Sequence, residues 1–202
     1  MMENKITFRP LVRQRGFTLI ECLISMAVLT IGSVGLLSVF GLAMKATQSS
    51  QENLIARQLA NETMESIYTA RNSSEISWPQ IQNVSNGGIF INGINAVMCA
   101  GPDGILDTAD DISCLTASGA TCPNGGVECL TEPGPDGILG TADDIIVSLS
   151  NYRRQVQVQQ LLDTNGNPIQ TLSLITVTIQ YSSPDTGGLR TYVLNEYVSA
   201  YH

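Results

Sequence analysis

The chain has 202 residues, a formal net charge of −8 and a single histidine, His202, a size that allows one ordinary domain with a real core plus a membrane segment. Without residues 1 to 16, 6 of the 10 basic and 17 of the 18 acidic residues remain, a net of −11. Such a body is repelled by nucleic acid phosphates and anionic lipid, so no nucleic acid partner is expected. Enzyme classes fare poorly as well. The only histidine is terminal, no nucleophile elbow, P-loop or H-E-x-x-H is present, and the adjacent acids Asp110 and Asp111 do not flank a substrate as glycoside hydrolysis requires.

The first predicted element is an apolar helix within "RQRGFTLIECLISMAVLTIG", residues 13 to 32. Between Phe17 and Met44 the only charged side chain is Glu21. That stretch makes about 42 Å of helix, longer than the roughly 30 Å hydrocarbon core of a bilayer. Lys5, Arg9, Arg13 and Arg15 precede it, which keeps the N-terminus cytoplasmic and exports everything after Met44. A secretory signal has an apolar region of only about 7 to 15 residues, so a cleaved export signal fits less well than an anchor. A lone intramembrane acid is a functional candidate by default, although Glu21 lies near one end, where an interfacial glutamate costs less.

From Lys45 to Arg71 the helical period persists with polar composition, and Ala56, Leu59, Ala60, Thr63, Met64 and Ile67 form one stripe. The membrane helix therefore continues outward as an amphipathic helix, 45–72, until Asn72, Ser73 and Ser74 weaken it. Trp78 before Pro79 is biased away from helix. Residues 85–144 form a loop-rich region containing an internal repeat: "GPDGILDTADDI" at 101–112 returns as "GPDGILGTADDI" at 134–145, with Gly140 in place of Asp107. Two copies are too few for a solenoid. The same region holds Cys99, Cys114, Cys122 and Cys129. Without a C-x-x-C or a nearby histidine they suggest two disulfides rather than zinc. Of the three connectivities, the short loops Cys99 to Cys114 and Cys122 to Cys129 are favoured by loop closure. Cys22, within the apolar helix, is read as a small buried hydrophobe rather than a reactive thiol.

The last third, 145–202, reads as an antiparallel sheet. Val156, Val158 and Leu162 share one parity, and "NGNP" at 165–168 is a turn; Ile175, Val177, Ile179 and Tyr181 share a face in the next strand, and "LRTYVLNEYVSAY" supplies another. "IIVSL" at 145–149 is expected as a fourth partner. The amphipathic helix supplies the cover that one face of this sheet needs, an α+β fold.

"RGFTLIECLISMAVLTIGSVGLL" resembles the N-terminus of type IV pilins and of the pseudopilins of type II secretion, and "LTIGSVGLL" looks most like PilV-type minor pilins. The resemblance implies a pilin-like fold in three parts: a basic leader, 1–16, removed on maturation; a transmembrane and assembly helix, 17–44; and an exported head, 45–202. Prepilin peptidase would cut after Gly16, and Phe17 would become the N-methylated terminus. Glu21 would neutralise the amine of a neighbouring subunit, where low dielectric strengthens the attraction. The implied protein is a minor pilin of a type IV pilus rather than an enzyme, or alternatively a type II secretion pseudopilin. Its partners would be the peptidase and other pilin subunits, and its location the bacterial inner membrane and then the pilus at the cell surface. Two departures from major pilins, the lack of a proline in the apolar helix and the acidic insertion, favour a specialised subunit.

Within the repeats, the spacing D-G-x-x-D-x-x-D resembles calcium loops of the thrombospondin type 3 kind, since calcium takes six to eight oxygens. This implies Asp103, Asp107, Asp110 and Asp111 as ligands in the first copy and Asp136, Asp143 and Asp144 in the second. The competing reading is a pair of solvated turns held by Asx hydrogen bonds. Calcium is the one cofactor suggested, and a membrane-anchored, calcium-dependent adhesive module is the functional alternative of a different class.

Overall fold

A computed structural model describes residues 16–183 and 188–201. Of the expected leader only Gly16 falls among them; Arg13, Arg15 and His202 lie outside the described residues. The chain divides into two compact units, residues 1–47 and 48–202. The first unit holds the apolar beginning of α1, Leu19–Asn72, a helix long and apolar enough to cross a membrane by length and composition. Its side chains are exposed almost throughout, including Leu29, Ile31, Val34 and Leu37. Ser25, Ser33 and Ser38 turn their hydroxyls back onto the carbonyls four residues earlier, Glu21, Leu29 and Val34. Each hydroxyl proton is therefore satisfied within the helix.

In the second unit the remainder of α1 packs on a four-stranded antiparallel sheet. Ala56, Leu59, Ala60, Thr63, Met64 and Ile67 are all buried, as the helical stripe predicts. Ala56 and Ala60 are completely buried on this side of the helix, and Thr63 satisfies its buried hydroxyl on the Leu59 carbonyl. Past Asn72 the helix stops, and Trp78–Gln80 forms a single 3-10 turn with proline inside it. The Trp78 indole N–H donates to the Gln170 carbonyl.

The sheet runs in the order β1 (Asn95–Ala96), β4 (Tyr152–Leu162), β5 (Pro168–Ser182), β6 (Leu189–Ser199). Ile175, Val177, Ile179 and Tyr181 face the core, opposite Val158, Val156, Arg154 and Tyr152 of β4. A register shift between Gln160 and Leu162 ends the alternation, so Leu162 is exposed although it shares the parity of Val158. Arg71 and Tyr68 of α1 donate to the carbonyls of Ser199 and Tyr197 in β6, and Arg190 of β6 donates to Ser49.

Ile145–Ser148 is not the fourth strand of this sheet. It forms β3 and pairs with β2, Cys129–Glu132, in a separate two-stranded ladder. The edge of β4 where a fourth strand belongs is already taken. After β1 has covered Arg153 and Arg154, side chains substitute for a strand. The Asp107 carboxylate accepts the Val156 N–H at 2.7 Å, and the Asn83 amide accepts the Val158 N–H and donates to the Val156 carbonyl. Covering a strand edge in this way removes a template for unwanted pairing.

Candidate assembly site and acidic repeats

At the start of α1, Thr18 occupies the N-cap position, and its carbonyl accepts the first helical bonds, from the N–H groups of Glu21 and Cys22. Glu21, three residues on, reaches back: its Oε2 accepts the Thr18 N–H and the Thr18 hydroxyl, each at 3.3 Å. Thr-x-x-Glu is the capping-box pattern, in which the acid satisfies a backbone donor that the helix leaves unpaired. Within one chain, then, the carboxylate is held at the helix entrance beside Phe17, which is 84% exposed. Gly16 has open space around its α-carbon. Cys22 is a free thiol on the exposed helix surface, not the buried side chain expected, because the apolar helix around it is itself exposed.

The two acidic repeats are the same loop built twice. In each, the first aspartate accepts an N–H two residues on: Asp103 from Ile105, Asp136 from Ile138. The threonine hydroxyl donates to a following aspartate, Thr108 to Asp110 and Thr141 to Asp143, and to the isoleucine carbonyl, Ile105 or Ile138. The last aspartate closes the loop by accepting the N–H four residues back, Asp111 from Asp107 and Asp144 from Gly140. Gly101 and Gly134 lie so close to Asp110 and Asp143 that an added Cβ would sit 2.2 and 2.3 Å from their carbonyl oxygens. Only glycine fits at either place. Each loop also closes on an antiparallel pair, Cys99 with Ile112 and Glu132 with Ile145. Disulfides join Cys99 to Cys114, which brackets the first loop, and Cys122 to Cys129, which precedes the second.

Surroundings separate the copies. The first is built into the head: Ile105 is 0% exposed within the core, Leu106 donates its N–H to Ser66 of α1, and Asp107 caps β4. Arg154, fully buried, stands 3.5 Å from Asp111 and donates to the Met98 carbonyl at 2.9 Å. Burial pushes Asp107 up to about 6, with the Val156 N–H and Arg154 opposing. Asp111 is raised by burial too, against the pull of Arg154. Glu128 is pushed up to about 7 by burial and by the nearby Glu62. The second copy lies open to solvent, and hydrogen bonding from Thr141 holds Asp143 below the usual carboxylate range.

In the first copy Asp110 and Asp111 share the Thr108 hydroxyl as a donor, and among the described residues no group of three or more His, Cys, Asp or Glu side chains is placed to hold a metal ion.

Residues 11–37 match the prokaryotic N-terminal methylation motif. The match supports a type IV pilin or pseudopilin-type prepilin. The motif spans Gly16, Phe17 and Glu21, and the apolar helix within and beyond it is consistent with inner-membrane anchoring. No curated protein sequence and no solved structure matches the chain.

Two participants escaped the sequence reading. Thr18 is legible in retrospect, because Thr18-x-x-Glu21 ahead of an apolar run is a capping-box signal. Arg154 had a weaker sign: it shares the inward parity of Val156 and Val158, so the alternation that marks the strand also places a cation in the core.

Proposed function

We propose that this chain is a minor pilin of a type IV pilus, of the PilV type, inserted in the inner membrane and drawn from it into the filament. The observation that carries the reading is the methylation motif at 11–37 set on a helix whose apolar side chains are exposed almost throughout among the described residues. Proteins with such a motif are structural subunits, so no catalytic residue is assigned. Prepilin peptidase cuts between Gly16 and Phe17, leaving a new amine that becomes methylated. Residues 17–44 then serve first as membrane span and later as the filament core, while 45–202 form the exported head.

Glu21 acts at the transfer between the two states. In the free subunit its carboxylate caps the helix through Thr18. In the filament it meets the N-terminal amine of a neighbour, an attraction that low dielectric strengthens. The carboxylate thus has a polar partner before assembly and a charged one after it. Leaving a buried charge unpaired would cost several kcal/mol, so the pairing also selects correct axial register.

Intact mass and N-terminal sequencing of the membrane-extracted chain test this reading. The mature protein begins at N-methyl-Phe17, and Gly16→Val accumulates unprocessed. A functional protein that still carries Met1, or that starts beyond Met44, overturns the assignment.

A further inference from the structure

The two repeats share their sequence, but for Gly140 in place of Asp107, and most of their internal hydrogen bonds, but not their surroundings. Ile105 and Leu106 are 0% and 4% exposed; their counterparts Ile138 and Leu139 are 60% and 61% exposed. Asp111 faces Arg154 through its Oδ2, whereas the matching Oδ2 of Asp144 accepts the Gly140 N–H and Asp144 has no basic partner among the described residues. The first copy therefore displays what this loop does when docked: two aliphatic side chains enter an apolar seat, and the last aspartate meets a guanidinium beside it. The second copy presents the two aliphatic side chains outward and sets Asp144 in the wall of an adjacent groove. We propose that it is a docking loop for a different subunit, with Ile138 and Leu139 entering an apolar seat and Asp144 facing an arginine or lysine of that subunit.

The partner is not a second copy of this chain. Arg154 is fully buried and engaged with Asp111, so the equivalent seat on another copy is filled. Gly140 also has no carboxylate with which to cap Val156, as Asp107 does. Two bodies that each carry a net charge of −11 repel one another besides. An acidic loop with an aliphatic tip selects the opposite chemistry: a basic-rimmed, apolar protein surface. The groove next to the loop, about 320 Å³ and lined by Thr116, Ser118, Thr131, Thr141 and Asp144, has room for the cationic side chain. That this partner belongs to the same filament rests on the pilin reading above.

A full-length chain carrying a photo-reactive phenylalanine at Leu139, produced in its own cell, separates the two ideas. The recovered protein is sequenced at its N-terminus, and its adducts are identified by mass. The expected result is a chain starting at Phe17 and cross-linked to a different filament subunit, through a peptide next to an arginine or lysine. Adding Ile138→Asp or Asp144→Lys should lower the adduct yield roughly tenfold or more. The melting temperature of Ile138→Asp should equal that of its parent, because the side chain is exposed; a lower value would mean the loop is seated in its own chain and would overturn the proposal. Adducts only to a second copy or to lipid, no adduct, or a yield indifferent to both substitutions in a chain processed at Phe17 also overturn it and leave the pilin reading intact. A chain not processed at Phe17 overturns both.

Discussion

Asp107 shows how one residue converts a surface turn into part of a core. Its φ of +66° lies in the left-handed region, where the second copy has Gly140 at +89°. Glycine suits that conformation best and aspartate tolerates it. The carboxylate accounts for the exception, because it accepts the buried Val156 N–H. Asp107→Gly should therefore destabilise the head by about 1 to 3 kcal/mol, the cost of an unsatisfied buried donor, despite the easier backbone. Asp107→Asn keeps an acceptor and removes a charge that burial disfavours, so near pH 7.5 it should melt no lower than the parent. Thermal melting of the detergent-solubilised chain distinguishes the two. At Glu21 the same contrast separates capping from charge. Glu21→Gln retains an acceptor for the Thr18 N–H but not the charge. If amine pairing drives assembly, both Glu21→Gln and Glu21→Val should be cleaved, remain in the membrane and enter filaments poorly. Normal incorporation of the glutamine variant would make capping the whole role.

Among the elements, β4 is the one whose stability depends on distant loops. Its outer edge pairs with a strand over only two residues, and Asn83 and Asp107 provide the rest. Asn83→Ala strips a donor and an acceptor from buried backbone at once, with an expected loss of about 2 to 4 kcal/mol. The equivalent change at exposed Asn165 should cost much less. The disulfide loops act on the other side of the folding equilibrium. Closing the 15-residue separation of Cys99–Cys114 contributes about 3 kcal/mol through the unfolded chain, against about 2 for the 7-residue separation of Cys122–Cys129. Cys99→Ala/Cys114→Ala should thus lower the urea midpoint more than Cys122→Ala/Cys129→Ala. The first pair also brackets the loop that fills the core, so its loss loosens Ile105 and Asp107 as well.

For the whole molecule, the balance of buried and exposed acids sets the response to pH. Asp107 and Glu128 have folded values of about 6 and about 7, above the ordinary 3.8 and 4.5. A raised acid binds its proton more tightly in the folded state, so its stabilisation is complete below the unfolded value and is lost as pH rises through the folded one. Asp110, Asp143 and Asp163 are lowered by hydrogen bonds from Thr108, Thr141 and Asn167. Their contribution is present above the unfolded value and fades as pH falls below it. The head should accordingly melt highest near pH 5 and lower at pH 7.5. Glu128→Gln should flatten that decline, and a melting temperature that rises steadily from pH 5 to 7.5 would show that the buried acids do not control it.

The sequence by itself determined the features that depend on neighbours along the chain. The apolar run with its solitary Glu21, the stripe from Ala56 to Ile67, the alternation at Ile175, Val177, Ile179 and Tyr181, and the repeated loop all follow from local period and turn chemistry. Tertiary structure alone decided where the loops went. Identical hydrogen bonds shape 101–112 and 134–145, yet one is core and the other surface. That difference rests on Ser66, Val156 and Arg154, residues far from either loop in sequence. Ile145–Ser148 went to a separate ladder for a similar reason. Its β propensity was plain, but its partner depended on an edge already occupied by Asn83 and Asp107. Local pattern specifies that a segment is a strand or a turn, because the backbone's preferences are local; which surface receives it is a competition among distant groups for the same donors and the same apolar space.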